Sequence, residues 1–277
     1  MRPANPGALR ARRKKVAPST IVLSIAVVLI ALFILAPLIV VAVSSFTSAG
    51  YLTFPPQGFS FKWYGAIMQN PNFVSSFVTS VKLGVATMVI SVVSGLLAAY
   101  AMHNYPSRLG RALEQVFLSP LMLPAVVLGL GLLFALSASG WLGTFLGALL
   151  AHVVIASPFV VRSCLAGLRS MDPRLEEASR SLGAGPVRTF MRVVVPAVGG
   201  SVASGAIFAF VISFDEAVAT LFLTGPHFST LPVTIFTYVQ YSNDPTVAAV
   251  STVLIVFCVV LVWLMMRLSR PSARSAR

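Results

Sequence analysis

From Ile21 to Val43 the chain runs for about 23 residues without a charged side chain. As a helix this stretch is roughly 35 Å long, enough to cross a bilayer. That run constrains the fold more than any other feature. In lipid, each backbone N–H and C=O must find a partner within the protein. Further apolar stretches follow at about Phe73–Met102, Ala112–Leu136, Trp141–Val161, Val198–Leu223 and Thr246–Met266. The expected fold class is therefore all-α integral membrane, with six transmembrane helices. Composition agrees: mean hydropathy is +0.90, and charged residues make up 10% of the 277, against about 25% in soluble domains. A cleavable signal peptide is the competing reading of the first run, but its apolar region spans only about 7–15 residues.

The stretches are not uniform. The second is long and leaves room for a separate short helix at its outer end. Pro120, Pro124, Gly129 and Gly131 predict an irregular third span, tolerated where neighbouring protein or a water cavity satisfies the backbone. Ser44 to Asn72 is a polar connection carrying Phe61, Lys62, Trp63 and Tyr64. Tryptophan and tyrosine favour the membrane interface, so this loop is expected against the outer face.

Charge sets the orientation. Six cations lie between Arg2 and Lys15, two at Arg108 and Arg111, and six at Arg162, Arg169, Arg174, Arg180, Arg188 and Arg192. Four more are Arg267, Arg270, Arg274 and Arg277. With the N-terminus inside, 18 of the 20 basic residues are assigned to the cytoplasmic side, leaving Lys62 outside and Lys82 within a span. The positive-inside rule thus predicts cytoplasmic N- and C-termini. The net charge of +13 reflects orientation rather than nucleic-acid binding, because the cations flank apolar runs and form no patch interleaved with aromatics.

One polar island interrupts the apolar chain, from Met171 to Pro196. It holds three of the seven acidic residues. Asp172 before Pro173 reads as a helix N-cap with proline in the first turn. Glu176 and Glu177 fall where the helix dipole favours carboxylates. Gly183 suits a left-handed C-terminal cap, Pro186 can open a second short helix over Val187–Val194, and Pro196 can close it. The expected result is a polar helix–turn–helix between two spans.

Within that island, Glu177-Ala178-Ser179, then Gly183, then Val193-Val194-Val195-Pro196 resemble the EAA loop of permease subunits of binding-protein-dependent ABC importers. Ser179 replaces the second alanine, and valines replace the isoleucine and leucine of the family pattern. The resemblance implies a type I ABC importer permease fold. It also implies that Glu176, Glu177, Ala178, Ser179 and Gly183 couple the chain to a cytoplasmic ATPase. The partners it implies are a second permease subunit, expected to form a heterodimer, two ATP-binding cassette subunits, an extracytoplasmic solute-binding protein and membrane lipid, with no nucleic acid. No cofactor is expected on this chain, since ATP would be bound by a partner. Phe61-Lys62-Trp63-Tyr64, Ser119-Pro120, Leu123-Pro124, Ser157-Pro158-Phe159 and the stretch from Ser213 through Gly225-Pro226 resemble spermidine/putrescine-type permeases. Iron, thiamine and opine systems have similar permeases. The organisation expected is a basic tail at 1–20, a six-helix domain at 21–267 with a coupling loop at about 163–197, and a basic tail at 268–277. The location implied is the bacterial inner membrane.

No catalytic constellation is present. His103, His152 and His227 are dispersed, and neither a nucleophile elbow nor a phosphate-binding lysine loop occurs. Cys164 and Cys258 are too far apart in sequence to form a short metal or redox motif, and read as structural thiols. In the fifth stretch Ser201, Gly205, Ala209, Ser213 and Ala217 recur every four residues, a small-residue stripe suited to close helix packing. Beside it lie Asp215 and Glu216. A single acidic residue at mid-membrane costs about 2.5–3.5 kcal/mol, so the pair needs an explanation. Two are open: they line an aqueous route for a cationic solute, or Asp215 pairs with Lys82, which lies at similar depth.

Overall fold

The structure is a computed structural model describing residues 18–105, 107–226 and 228–268. Most of both expected basic tails, with Arg2 to Lys15 and Arg270 to Arg277, and also His227, lie outside the described residues. Helix α1 (Pro18–Ser44) is followed by an outer connection, α2 (Lys62–Gln69) and α3 (Pro71–Asn104). Then come α4 (Arg108–Leu118), a 3-10 turn (Ser119–Met122), α5 (Ala125–Ala138) and α6 (Phe145–Ser170). The loop contributes α7 (Arg174–Ser181), α8 (Pro186–Thr189), a π-helical turn (Phe190–Val194) and α9 (Val195–Ala197). Finally come α10 (Gly199–Asp215), a 3-10 turn (Thr220–Phe222), α11 (Leu231–Tyr241) and α12 (Thr246–Leu268).

Four helices, α1, α3, α6 and α12, are long and apolar enough to cross a membrane unbroken, and two bent pairs bring the number to six. The second span is one continuous 34-residue helix, so its outer end is not the separate short helix expected there, and α2 at Lys62–Gln69 is a distinct helix that precedes it. At the third span the irregularity goes further than the sequence suggests. Arg108–Met122 and Ala125–Ala138 meet at 110°, at a break where Pro124 forces the residue before it out of the helical region. Leu123 is accordingly extended, with φ −90° and ψ 136°.

The fifth span also departs from expectation. It bends by 74° at Val198, and its helix stops at Asp215 rather than continuing to Leu223. Ala217 therefore lies beyond the small-residue stripe. The rest of the stripe does what its spacing implies. A side chain at Gly205 would press on the Val160 backbone at 3.2 Å, and one at Gly167 would collide with the Ser201 hydroxyl. Helices α6 and α10 can approach this closely only because those positions are small.

Helices α3, α6 and α10 pack on one another as the centre of the molecule. Leu96, Ala99, Val160, Val161, Cys164, Leu165 and Leu168 form its inner core. Cys164 is a free thiol buried in that core. By contrast α1 packs on α12 and buries none of its apolar stretch. The outer connection is ordered by its own polar groups. Trp63 Nε1 donates to the Thr47 carbonyl at 2.8 Å, and Lys62 Nζ donates to the Ser48 carbonyl at 2.7 Å.

Candidate functional site

The loop between α6 and α10 is built by its caps. The Asp172 carboxylate accepts the Arg174 N–H at 3.0 Å, so it caps the helix as expected, although the regular helix begins one residue past Pro173. At the other end Gly183 has φ +81°. Its N–H bonds to the Arg180 carbonyl at 2.9 Å, and the Ala184 N–H to the Ser179 carbonyl at 3.1 Å. This is the paired capping pattern that a left-handed glycine allows. Pro196 does not end the second helix, which runs on to Ala197. Proline has no N–H to offer the preceding turn, and the helix widens to a π turn over Phe190–Val194 instead.

The loop sorts its residues into an anchoring side and an exposed side. Thr189, Phe190 and Val194 are buried, and the last two join the inner core of α3 and α6. Tyr100 on α3 meets Phe190 ring to ring at 4.6 Å. The Ser179 and Thr189 hydroxyls lie 3.0 Å apart, tying α7 to α8. Glu176 is also on the inner side, 8% exposed, with its carboxylate 3.2 Å from Arg180. Glu177, Ala178 and Gly183 are exposed. Around them stand apolar side chains that sequence reasoning passed over: Leu182 at 89%, Val187 at 72% and Met191 at 60% exposure. Apolar side chains gathered in the open on a polar loop make it a candidate interaction site. Its sequence signal was a set of large apolar residues at positions the polar neighbours expose.

At the other end of the molecule, Asp215 is the last residue of α10 and is exposed. Glu216 is extended, and its Oε1 accepts the Ala219 N–H at 2.8 Å, capping the turn that follows. Asp215 and Lys82 form no ion pair. Among the described residues the pairs are Arg169 with Glu114 and Arg180 with Glu176. Lys82 is itself exposed on α3.

Sequence reasoning also passed over His152. It is fully buried, with Nδ1 2.8 Å from the Ser213 hydroxyl and Nε2 3.0 Å from that of Thr220. The Thr220 hydroxyl donates to the Glu216 carbonyl at 2.8 Å, so it accepts from Nε2–H, and Nδ1 accepts from Ser213. One imidazole thus fastens the unwound segment after Asp215 to α6 and α10. Its partners are 61 and 68 residues away, which no local pattern reveals.

Near the outer end, a cavity of about 490 Å³ opens between α3 and α11, lined by Asn70, Ser76, Thr79, Ser229, Thr237 and Tyr238 among others. The nearby Asp244 accepts from the Tyr238 hydroxyl at 2.6 Å and the Thr246 N–H at 2.8 Å. Burial alone would raise its carboxyl, but these bonds hold it below the usual carboxylate range.

Residues 91–274 match the family model described as "Binding-protein-dependent transport system inner membrane component". The chain is 30% identical over 226 residues to the spermidine/putrescine transport system permease protein PotC of Escherichia coli (strain K12), covering 82% of this chain and 85% of that one. It is 31% identical over 214 residues to the molybdenum transport system permease protein ModB of Mycobacterium bovis, covering 72% and 80%. Its fold matches a chain in the crystal structure of a bacterial ABC transporter that imports alginate, with TM-score 0.72, 17% identity, and coverage of 89% and 95%.

Proposed function

Because this chain belongs to the binding-protein-dependent transport system inner membrane component family, and so is a multi-pass inner-membrane permease of a bacterial ABC importer, we propose that it passes a small cationic solute of the polyamine class inward. It is a transport component, not an enzyme. Hydrolysis of ATP belongs to separate ATPase subunits, and an extracytoplasmic binding protein delivers the solute. A second permease completes the membrane unit.

The observation that carries the coupling role is the loop's division into a buried anchor and an exposed rim. Glu177, Ala178, Gly183, Leu182, Val187 and Met191 face outward for the ATPase, with Ser179 and Glu176 fixing the loop's shape. Phe190 and Val194 are set in the core that joins the inner ends of α3 and α6. Movement of the ATPase groove is thereby delivered to those helices as a rigid displacement, because packed interiors deform little. The displacement opens the membrane unit alternately to each side.

Asp215 supports the cationic solute. It is the free carboxylate at the outer end of α10, placed to attract a protonated amine, and the spermidine/putrescine relative points the same way. An oxyanion permease is the second reading, favoured by the molybdenum relative. The test is uptake of labelled spermidine, putrescine and molybdate by proteoliposomes holding the complete transporter with its binding protein. Asp215→Asn keeps size and hydrogen-bonding capacity but removes the charge, and lowers polyamine uptake about tenfold with assembly intact. The double variant with Lys82→Met stays low. Recovery of uptake in the double variant would remove Asp215 from the route, and uptake of molybdate alone would overturn the polyamine reading.

A further inference from the structure

The outer cavity between α3 and α11, about 490 Å³ in volume, has a wall whose hydroxyls have already used their protons. On α3, Ser75 donates to the Asn72 carbonyl at 3.3 Å and Ser76 to the Phe73 carbonyl at 3.2 Å. Thr79, one turn deeper, donates to the Ser75 carbonyl at 2.9 Å. On α11, Tyr238 donates to Asp244 at 2.6 Å. A hydroxyl has one proton to give and two lone pairs with which to accept. With the proton spent on the protein, each of these oxygens turns only lone pairs toward the cavity.

A row of acceptors selects a ligand rich in donors. An oxyanion only accepts, and would meet lone pair against lone pair. A primary ammonium group carries three donors and no acceptor, the complement of this wall. Two further features favour the cation. Asp244 is ionised, because its hydrogen bonds hold it below the usual carboxylate range, and it polarises the Tyr238 oxygen that donates to it. The rings of Phe73, Phe228 and Tyr241 also line the cavity, and an aromatic face attracts a cation. Among the described residues no charged side chain lines the cavity, and Lys82, one turn below Thr79, lies outside its wall.

The cavity is also close to the carboxylate at the end of α10. Phe77, next to Ser76 in the chain, meets Phe214 with ring centroids 6.2 Å apart, and Phe214 precedes Asp215. We infer that the outer cavity is a subsite that takes a protonated primary amino group of the solute before it reaches Asp215. This rests on the reading of the solute as an amine.

The test uses the complete transporter in nanodiscs, carrying Cys258→Ser and Ser75→Cys. Ser75 is exposed, and the remaining native thiol, Cys164, is buried. The new thiol is labelled with a trimethylammonium or a sulfonate methanethiosulfonate reagent. Relative to their rates with free cysteine, the cationic reagent reacts about tenfold faster than the anionic one. Putrescine slows the labelling, whereas the uncharged diol of the same length does not. Thr79→Val keeps the shape of the side chain and Tyr238→Phe keeps the ring, but each removes an acceptor and weakens protection by putrescine about tenfold. Preference for the anionic reagent overturns the inference. So does protection by the diol or by molybdate equal to that by putrescine, or unaltered protection in both variants. Failure of the polyamine reading is separate: it appears as absence of putrescine uptake by the unsubstituted transporter, and the reagent ratio still decides whether the cavity selects cations.

Discussion

Ser213, on the last turn of α10, lies 2.8 Å from His152 on α6, and two residues later α10 ceases to be a helix. The same imidazole holds Thr220 in the segment that follows. The position of Asp215 at the outer end of α10 therefore depends on a buried polar contact made from a different helix.

Replacing that ring tests the dependence. His152→Leu leaves the Ser213 hydroxyl, 3% exposed, without its partner, and leaves Thr220, 0% exposed, with only its bond to the Glu216 carbonyl. An unsatisfied buried polar group costs about 1–3 kcal/mol. The purified transporter should melt at lower temperature, and solute uptake should fall. Unchanged melting with full uptake would show that the ring is mere filling.

Gly183 is the second position where one atom matters. Its φ of +81° costs a residue with a Cβ about 1–2 kcal/mol, and no neighbour crowds the site. Gly183→Val should therefore distort the loop's turn without disturbing the spans. The expected result is normal membrane insertion with reduced ATPase co-purification and uncoupled hydrolysis. Wild-type values of both would detach the turn from coupling.

The exposed apolar rim gives the sharpest separation of folding from coupling. Leu182 and Met191 are 89% and 60% exposed, so Leu182→Asp and Met191→Glu remove no internal packing. Thermal stability of the permease should stay within about 0.5 kcal/mol of wild type, as for surface changes generally. Affinity for the ATPase, measured by titration in nanodiscs, should weaken at least about tenfold if these side chains fill its groove. Unaltered affinity would move the contact to another part of the loop.

Several features were legible in the sequence because they depend on neighbours along the chain. The first span, the helix start at Asp172 and the left-handed turn at Gly183 are examples. A cap needs its residue type at one offset, and a span needs enough consecutive apolar side chains. The small-residue stripe from Ser201 to Ser213 was legible for the same reason, since its spacing is the helix period. Pro120 and Pro124 announced a break, but its 110° angle depends on what α4 and α5 pack against.

What the sequence determined by itself is local or statistical: apolar lengths, helix caps, and the asymmetry of cations that sets which side faces the cytoplasm. Tertiary structure alone decided which groups meet. His152 reaches Ser213 and Thr220 across more than sixty residues, and Phe190 reaches Tyr100 across the breadth of the core. Asp215 and Lys82, alike in depth on paper, remain apart. Depth along a helix follows from counting residues, whereas rotation about its axis is set by packing, and rotation decides which side chains face each other.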